Sequence, residues 1–299
     1  MYRYESLLNK LSADLSSGSY DIAHLASLIL FNYAEERADL HSVDFRANLL
    51  ILLKKLTKIQ PDMALMFNLI VGTLKSIDCD KPHEELRKFV EEFSEEIVQS
   101  PVLVARQMRK LIPSGSTVGT ISYSKAARKC LELAADKINR VIISESQPGG
   151  EGVKLANDLR DTIKEVVLIP DAGWGQQIRH CDIVLIGVDA ITEEGVVNKI
   201  GSLLLALLSK KFEIPFLVAG SKLKLIPKAV IAKTPTKIFP NEKLNFIPQD
   251  NVKIDYPIFE SVPFNLITYI VTESGETIPE QMTKKIDNLR KTYNLLNII

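Results

Sequence analysis

Up to about residue 110 the apolar positions recur at helical spacing. Ile22, Leu25, Leu28, Ile29 and Phe31 form one stripe, and Phe45, Leu49, Leu50, Leu52, Leu53 and Leu56 a second. Met63, Met66, Phe67, Ile70 and Leu74 form a third. Ser17-Gly18-Ser19 breaks the chain between the amphipathic start, Met1 to Leu11, and the first stripe. Gln60-Pro61-Asp62 opens the third with proline in the first turn. Glu84 to Val98 is a charged helix with Leu86, Phe89, Val90, Phe93 and Ile97 on one face. Pro101 is expected to interrupt it, with a further helix on to Lys110. Strand patterns are missing from this half, which reads as a helical bundle domain over residues 1–112.

After Pro113-Ser114-Gly115 short β-branched runs alternate with helical patterns. The runs are Thr117 to Ile121, Val141 to Ser144, Glu165 to Ile169, Ile183 to Gly187, Pro215 to Ala219 and Leu266 to Thr272. Ser124 to Lys137, Gly152 to Thr162, Gln176 to His180 and Lys199 to Phe212 read as helices between them, and Pro279 to Leu296 as a terminal helix. This alternation predicts an α/β domain over residues 113–299 with a mostly parallel, doubly wound sheet. Apolar throughout, the runs suit strands buried on both faces. Pro227 to Pro257 has no period and is expected to be a long surface connection.

Composition narrows the function only a little. Lys plus Arg equals Asp plus Glu at 37 each, so net charge gives no case for direct nucleic-acid binding. No apolar run approaches the roughly 18 residues that span a bilayer, and the amphipathic N-terminus has no signal-peptide core. Cys79, Cys130 and Cys181 are scattered and read as reduced, mostly buried thiols, so a cytoplasmic protein is expected. His24, His41, His83 and His180 have no metal spacing, and neither a metal nor a cofactor is expected.

Chemistry is concentrated at the strand-to-helix junctions, which gather at the carboxyl edge of a parallel sheet. Ser122, Ser124 and Lys125 follow the first run, where outward backbone N–H groups suit an anion and a serine suits a plain N-cap. Glu145 and Gln147 lie in E-S-Q-P-G-G, a ligand-approaching loop or a glycine-rich turn without a dinucleotide fingerprint. Asp189 lies just past an apolar strand, as a general acid–base, a sugar-hydroxyl acceptor or a solvated turn residue. Asn198 and Lys199 follow, with the lysine at a helix start where a phosphate could sit, or as an ordinary surface lysine. Trp174, in D-A-G-W-G, reads as packing or subunit interface first and ligand stacking second.

Taken together, T-I-S-Y-S-K (Thr120 to Lys125), E-S-Q-P (Glu145 to Pro148), D-A-G-W-G (Asp171 to Gly175), G-V-D (Gly187 to Asp189) and V-N-K-I-G (Val197 to Gly201) resemble one family. The same holds for Q-P-D-M-A-L-M-F-N (Gln60 to Asn68) and P-I-F-E-S-V-P-F-N-L-I-T (Pro257 to Thr268). That family joins the alpha, beta and delta regulatory subunits of translation initiation factor 2B to two aldose–ketose isomerases. These isomerases act on methylthioribose-1-phosphate and ribose-1,5-bisphosphate. The resemblance implies a helical N-terminal domain, a Rossmann-like C-terminal domain and a homodimer formed through the latter.

Departures from the isomerase pattern bear on activity. The resemblance places Ser122 where the isomerases carry a catalytic cysteine, and serine is a far poorer acid than a thiol with its pKa of about 8.5. Gln147 stands where they carry arginine, which removes a bidentate phosphate clamp, and Ser17 to Asp21 supplies no arginine either. Asp189, Asn198 and Lys199 are retained. S-Y-S followed by E-S-Q-P is similar to the alpha-type regulatory subunit. The resemblance therefore implies a non-catalytic regulatory subunit that contacts initiation factor 2, most plausibly its alpha subunit. Its crevice would hold a sugar phosphate or nucleotide on Ser122, Ser124, Lys125, Glu145, Gln147, Asp189, Asn198 and Lys199. The alternative is an isomerase using Asp189 and, in place of the thiol, Ser122. Glu260 replaces the family's usual aspartate.

Overall fold

The structure, a computed structural model, describes residues 2–14, 18–59, 63–231, 251–252 and 255–294. Ser17, Gln60-Pro61-Asp62, Leu296 and most of the expected connection from Pro227 to Pro257 lie outside the described residues. The chain divides into two compact units. One takes Met1–Ser100, Leu223–Thr234 and Lys285–Ile299; the other takes Pro101–Lys222 and Pro235–Lys284.

The first unit is built from α1 (Arg3–Ala13), α2 (Ser19–Glu36), α3 (Ser42–Ile59), α4 (Ala64–Ser76) and the first part of α5 (Pro82–Leu111). The periodic stripes form its core: Ile22, Ile29, Phe45, Leu49, Leu53, Leu56, Met66 and Ile70 are all buried. Gly72 lets α4 and α5 approach closely, because a Cβ there would run into the ring of Phe89. Pro101 does not interrupt the helix: α5 runs through it. Proline cannot donate to the carbonyl four residues back. The hydroxyl of Ser100 donates to that carbonyl, Ile97 O, at 3.3 Å, so the buried acceptor keeps a partner.

The second unit holds β1 (Ser116–Thr120), α6 (Lys125–Leu133), β2 (Ile138–Ser144), α7 (Glu151–Leu159), β3 (Val166–Ile169), α8 (Trp174–Gln177) and β4 (Ile183–Ile186). It continues with β5 (Ala190–Ile191), β6 (Gly195–Lys199), α9 (Ser202–Lys211) and β7 (Phe216–Ala219). After α10 (Lys228–Ile231) in the first unit come β8 (Phe259–Pro263), β9 (Tyr269–Thr272), β10 (Gly275–Thr277) and α11 (Pro279–Tyr293), which belongs to the first unit from Lys285 on. Seven strands form one sheet in the order β10-β9-β7-β4-β1-β2-β3. Every pairing in it is parallel except β10 with β9. The expected α/β fold is thus present. Central strands β4 and β7 are buried at every position, but Leu168 on edge strand β3 is exposed.

A second, antiparallel sheet, β5-β6-β8, was not expected. Its middle strand takes Val196 to Lys199, so the expected helix from Lys199 starts only at Ser202. Among the described residues no helix is long and apolar enough to cross a membrane.

Candidate functional site

In the large sheet the chain leaves β1 for β2 and β3 on one side, then returns to build β4, β7 and β9 on the other. The order reverses between β1 and β4, which is where ligands enter folds of this class. The loops after β1 and β4 meet there. Gly187 has no room for a side chain, since a Cβ would collide with the side chain of Ser124. Ser124 is the N-cap of α6, its Oγ accepting from the Ala127 N–H at 3.4 Å. Lys125, the first residue of that helix, is exposed.

Ser122 has a left-handed backbone, φ 64°. Its N–H does not point outward to an anion as expected. It donates to Ser146 Oγ at 2.7 Å, and that hydroxyl donates in turn to Ser144 O at 2.9 Å. Ser146 is fully buried, also left-handed at φ 65°. Its N–H and that of Gln147 donate to the two carboxylate oxygens of Asp171, at 2.9 and 2.7 Å. Three successive junctions, after β1, β2 and β3, are thereby tied together. Asp171 holds the Gln147 backbone, while the Gln147 side chain stands exposed at the rim. Glu145 is half-buried and bridges β3 and α7 through its backbone: its N–H donates to Ile169 O at 2.9 Å and its carbonyl accepts from Gly152 at 3.1 Å.

Asp189 is half-buried, and its N–H donates to Val197 O at 2.8 Å, which anchors it beside the middle of β6. Asn198 and Lys199 are buried, at 4% and 3% exposure, so neither is a surface residue. Asn198 donates to Ser202 Oγ at 2.8 Å, and Ser202 donates to Lys199 O at 2.7 Å. The Lys199 ammonium pairs with both oxygens of Glu151, at 3.0 and 2.9 Å. Glu260 lies opposite Asn198 in the β6–β8 ladder and accepts from the Leu203 N–H at 2.8 Å, next to the start of α9. That position favours a carboxylate.

The structure thus joins Ser122 to the E-S-Q-P loop, and Lys199 to the helix that follows this loop. Glu260, noted in the sequence only as a departure, holds the start of α9, while Ser146, Glu151 and Asp171 are contributors that sequence reasoning did not single out. Only two signals were available for them: an acid opening the helix after Gly149-Gly150, and an aspartate straight after a strand. Of the readings open for Trp174 the structure gives packing: it is buried against Gly119 of β1 and Cys181. Burial pushes the Cys181 thiol up to about 12, with the charge of Asp182 adding to the effect, and burial raises Cys130 as well. All three cysteines are free, Cys79 being half-buried. Among the described residues no group of His, Cys, Asp and Glu could hold a metal.

The chain is similar to two kinds of named protein. A Pyrococcus furiosus protein named as eIF-2B subunit 2-like is 29% identical over 81% of this chain and 85% of its own length. A ribose 1,5-bisphosphate isomerase from Methanocaldococcus jannaschii is equally close, 29% identical over 88% of this chain and 87% of the relative. Among solved structures, the translation initiation factor eIF-2B of Pyrococcus horikoshii superposes with a TM-score of 0.80 at 27% identity, covering 94% of this chain and 98% of that one. The 5-methylthioribose 1-phosphate isomerase of the same organism shares the fold at a TM-score of 0.74 and 17% identity, covering 96% and 88%. The model of the Initiation factor 2 subunit family matches residues 15–279, and with the helical unit, the mainly parallel sheet and the junction residues in place, the chain belongs to that family.

Proposed function

We propose that this chain is a non-catalytic regulatory subunit of the eIF-2B type. It contacts initiation factor 2, most directly through the alpha subunit, in the cytoplasm, and its crevice takes a sugar phosphate or nucleotide. The carrying observation is the loop after β1. By the resemblance, Ser122 stands where the isomerases carry a thiol; its backbone is fixed by Ser146. The thiols of Cys130 and Cys181 are buried elsewhere and held protonated. A serine hydroxyl is a far poorer proton donor at neutral pH than the thiol it replaces. The retained Asp189, Asn198 and Lys199 support binding without turnover. Leu204 and Leu207 of α9, 47% and 51% exposed, support self-association of the second unit.

Binding of purified initiation factor 2 at micromolar concentration, at low and at physiological salt, tests this role. No binding under either condition overturns it. A sugar-phosphate titration alongside separates a regulatory subunit from a metabolite sensor without a translation partner.

A second reading is favoured by the isomerase relatives and by Asp189, whose N–H is held on Val197 of β6, the strand that carries Asn198 and Lys199. It makes the protein an aldose–ketose isomerase with Asp189 as the acid–base group. Ketose formation from saturating ribose 1,5-bisphosphate or methylthioribose-1-phosphate would establish it and remove the non-catalytic reading.

A further inference from the structure

Among the described residues of the second unit Lys199 is the buried lysine, and it is held rigidly. It ends β6, which pairs with β5 on one side and β8 on the other, so its backbone cannot withdraw. A buried ammonium costs several kcal/mol unless paired. Glu151 supplies the pair from a different kind of position. It is the first residue of α7, and its side chain keeps 38% of its surface in water. Gly149 makes room for this arrangement: a Cβ there would collide with the Glu151 carboxylate. The lysine is therefore a fixed cation inside the crevice wall, and the carboxylate is a group on the rim folded back onto it.

We propose that Glu151 is an intramolecular stand-in for the ligand's anionic group, and that a phosphate reaches Lys199 only by displacing it. This inference rests on the reading above that the crevice binds a sugar phosphate or nucleotide. Glu151 can swing into solvent by side-chain rotation, while Lys199 stays where it is. A bare anion must compete with a carboxylate already at hydrogen-bond distance and is repelled by it once displaced. A phosphorylated sugar adds hydroxyl contacts that a bare anion lacks. The pair therefore acts as a filter, weakening the hold on free phosphate and leaving the sugar to carry selectivity.

The test compares the wild-type chain, Glu151→Gln and the double variant Glu151→Gln/Lys199→Met by calorimetric titration with inorganic phosphate and with ribose 5-phosphate, in phosphate-free buffer. Glu151→Gln is expected to bind inorganic phosphate about ten-fold tighter than wild type, equivalent to about 1.4 kcal/mol. The double variant is expected to lose that gain. Wild-type binding of ribose 5-phosphate without any tightening in Glu151→Gln overturns the filter and leaves the ligand-binding reading standing. No binding of either ligand by any variant removes the filter together with the sugar-phosphate reading of the crevice. Should Glu151→Gln fail to fold, carbon-13 NMR of the wild-type Glu151 carboxyl gives the same answer. Its signal is expected to move to that of a solvated carboxylate as ribose 5-phosphate saturates the protein, and saturation with the signal unmoved overturns the proposal.

Discussion

Replacing Asp171 by alanine should loosen the loop after β2 without unfolding the sheet. Asp171 accepts the N–H groups of Ser146 and Gln147, at 2.9 and 2.7 Å. Hydrogen bonds to a charged partner contribute about 1.5–3 kcal/mol each, and the cost is fullest where the abandoned donor stays dry. Ser146 is buried and Gln147 is exposed, so the first bond keeps most of that value and water replaces most of the second. Ser146 also holds a left-handed backbone, φ 65°, which costs on the order of 1–3 kcal/mol and needs such contacts to persist. The expected local loss is about 2–3 kcal/mol, or roughly 30- to 150-fold lower protection of these amides. Asp171→Asn should be nearly as damaging, because its NH₂ group would face one of the two donors. Amide hydrogen exchange read at Ser146, Gln147 and Ser122 is the assay, since the Ser122 N–H leans on Ser146. Protection within about three-fold of wild type at Ser146 in Asp171→Ala would refute the claim that this carboxylate builds the loop.

Three further perturbations follow from the same geometry. Gly187→Ala drives a methyl into Ser124 and should cost about 1–3 kcal/mol, with Ser124→Gly in the same chain restoring most of it in thermal melts; failure of that rescue would refute the close approach. Glu260→Gln weakens the charge at the start of α9 and should cost about 0.5–1 kcal/mol, an effect that shrinks in high salt. Cys181 ionises near 8.5 when unfolded but is pushed up to about 12 when folded, so above pH 8.5 the native state binds the extra proton and stability falls as pH rises. Melting temperature should decline between about pH 8.5 and 10 less steeply in Cys181→Ala than in wild type, and identical slopes would refute this.

Much of the fold was legible because its signals are local. The central strands β4 and β7 are continuous apolar runs buried at every position, and the stripes of the helical unit fall at one period. Pro101 misled for an instructive reason. The rule that proline ends a helix assumes an orphaned carbonyl, and Ser100 removes the orphan. The small sheet was missed because β6 runs within three residues into α9, so Val196 to Gly201 looked like the approach to a helix.

That single error changes what Lys199 can do. A lysine at the start of a helix is a solvated group that finds anions by swinging toward them. A lysine at the end of the middle strand of a sheet is fixed, buried and already neutralised by Glu151. The serines carry the same lesson. Neither Ser122 nor Ser146 advertises a left-handed backbone in sequence, where glycine is the usual signal, so the hand-over of the Ser122 N–H could not be foreseen. With that amide spent inside the protein, the anion site proposed above has one backbone donor fewer than the sequence offered. Removing Lys199 should therefore cost more affinity than removing Ser122, whereas an isomerase that used Ser122 in chemistry would lose turnover before it lost binding.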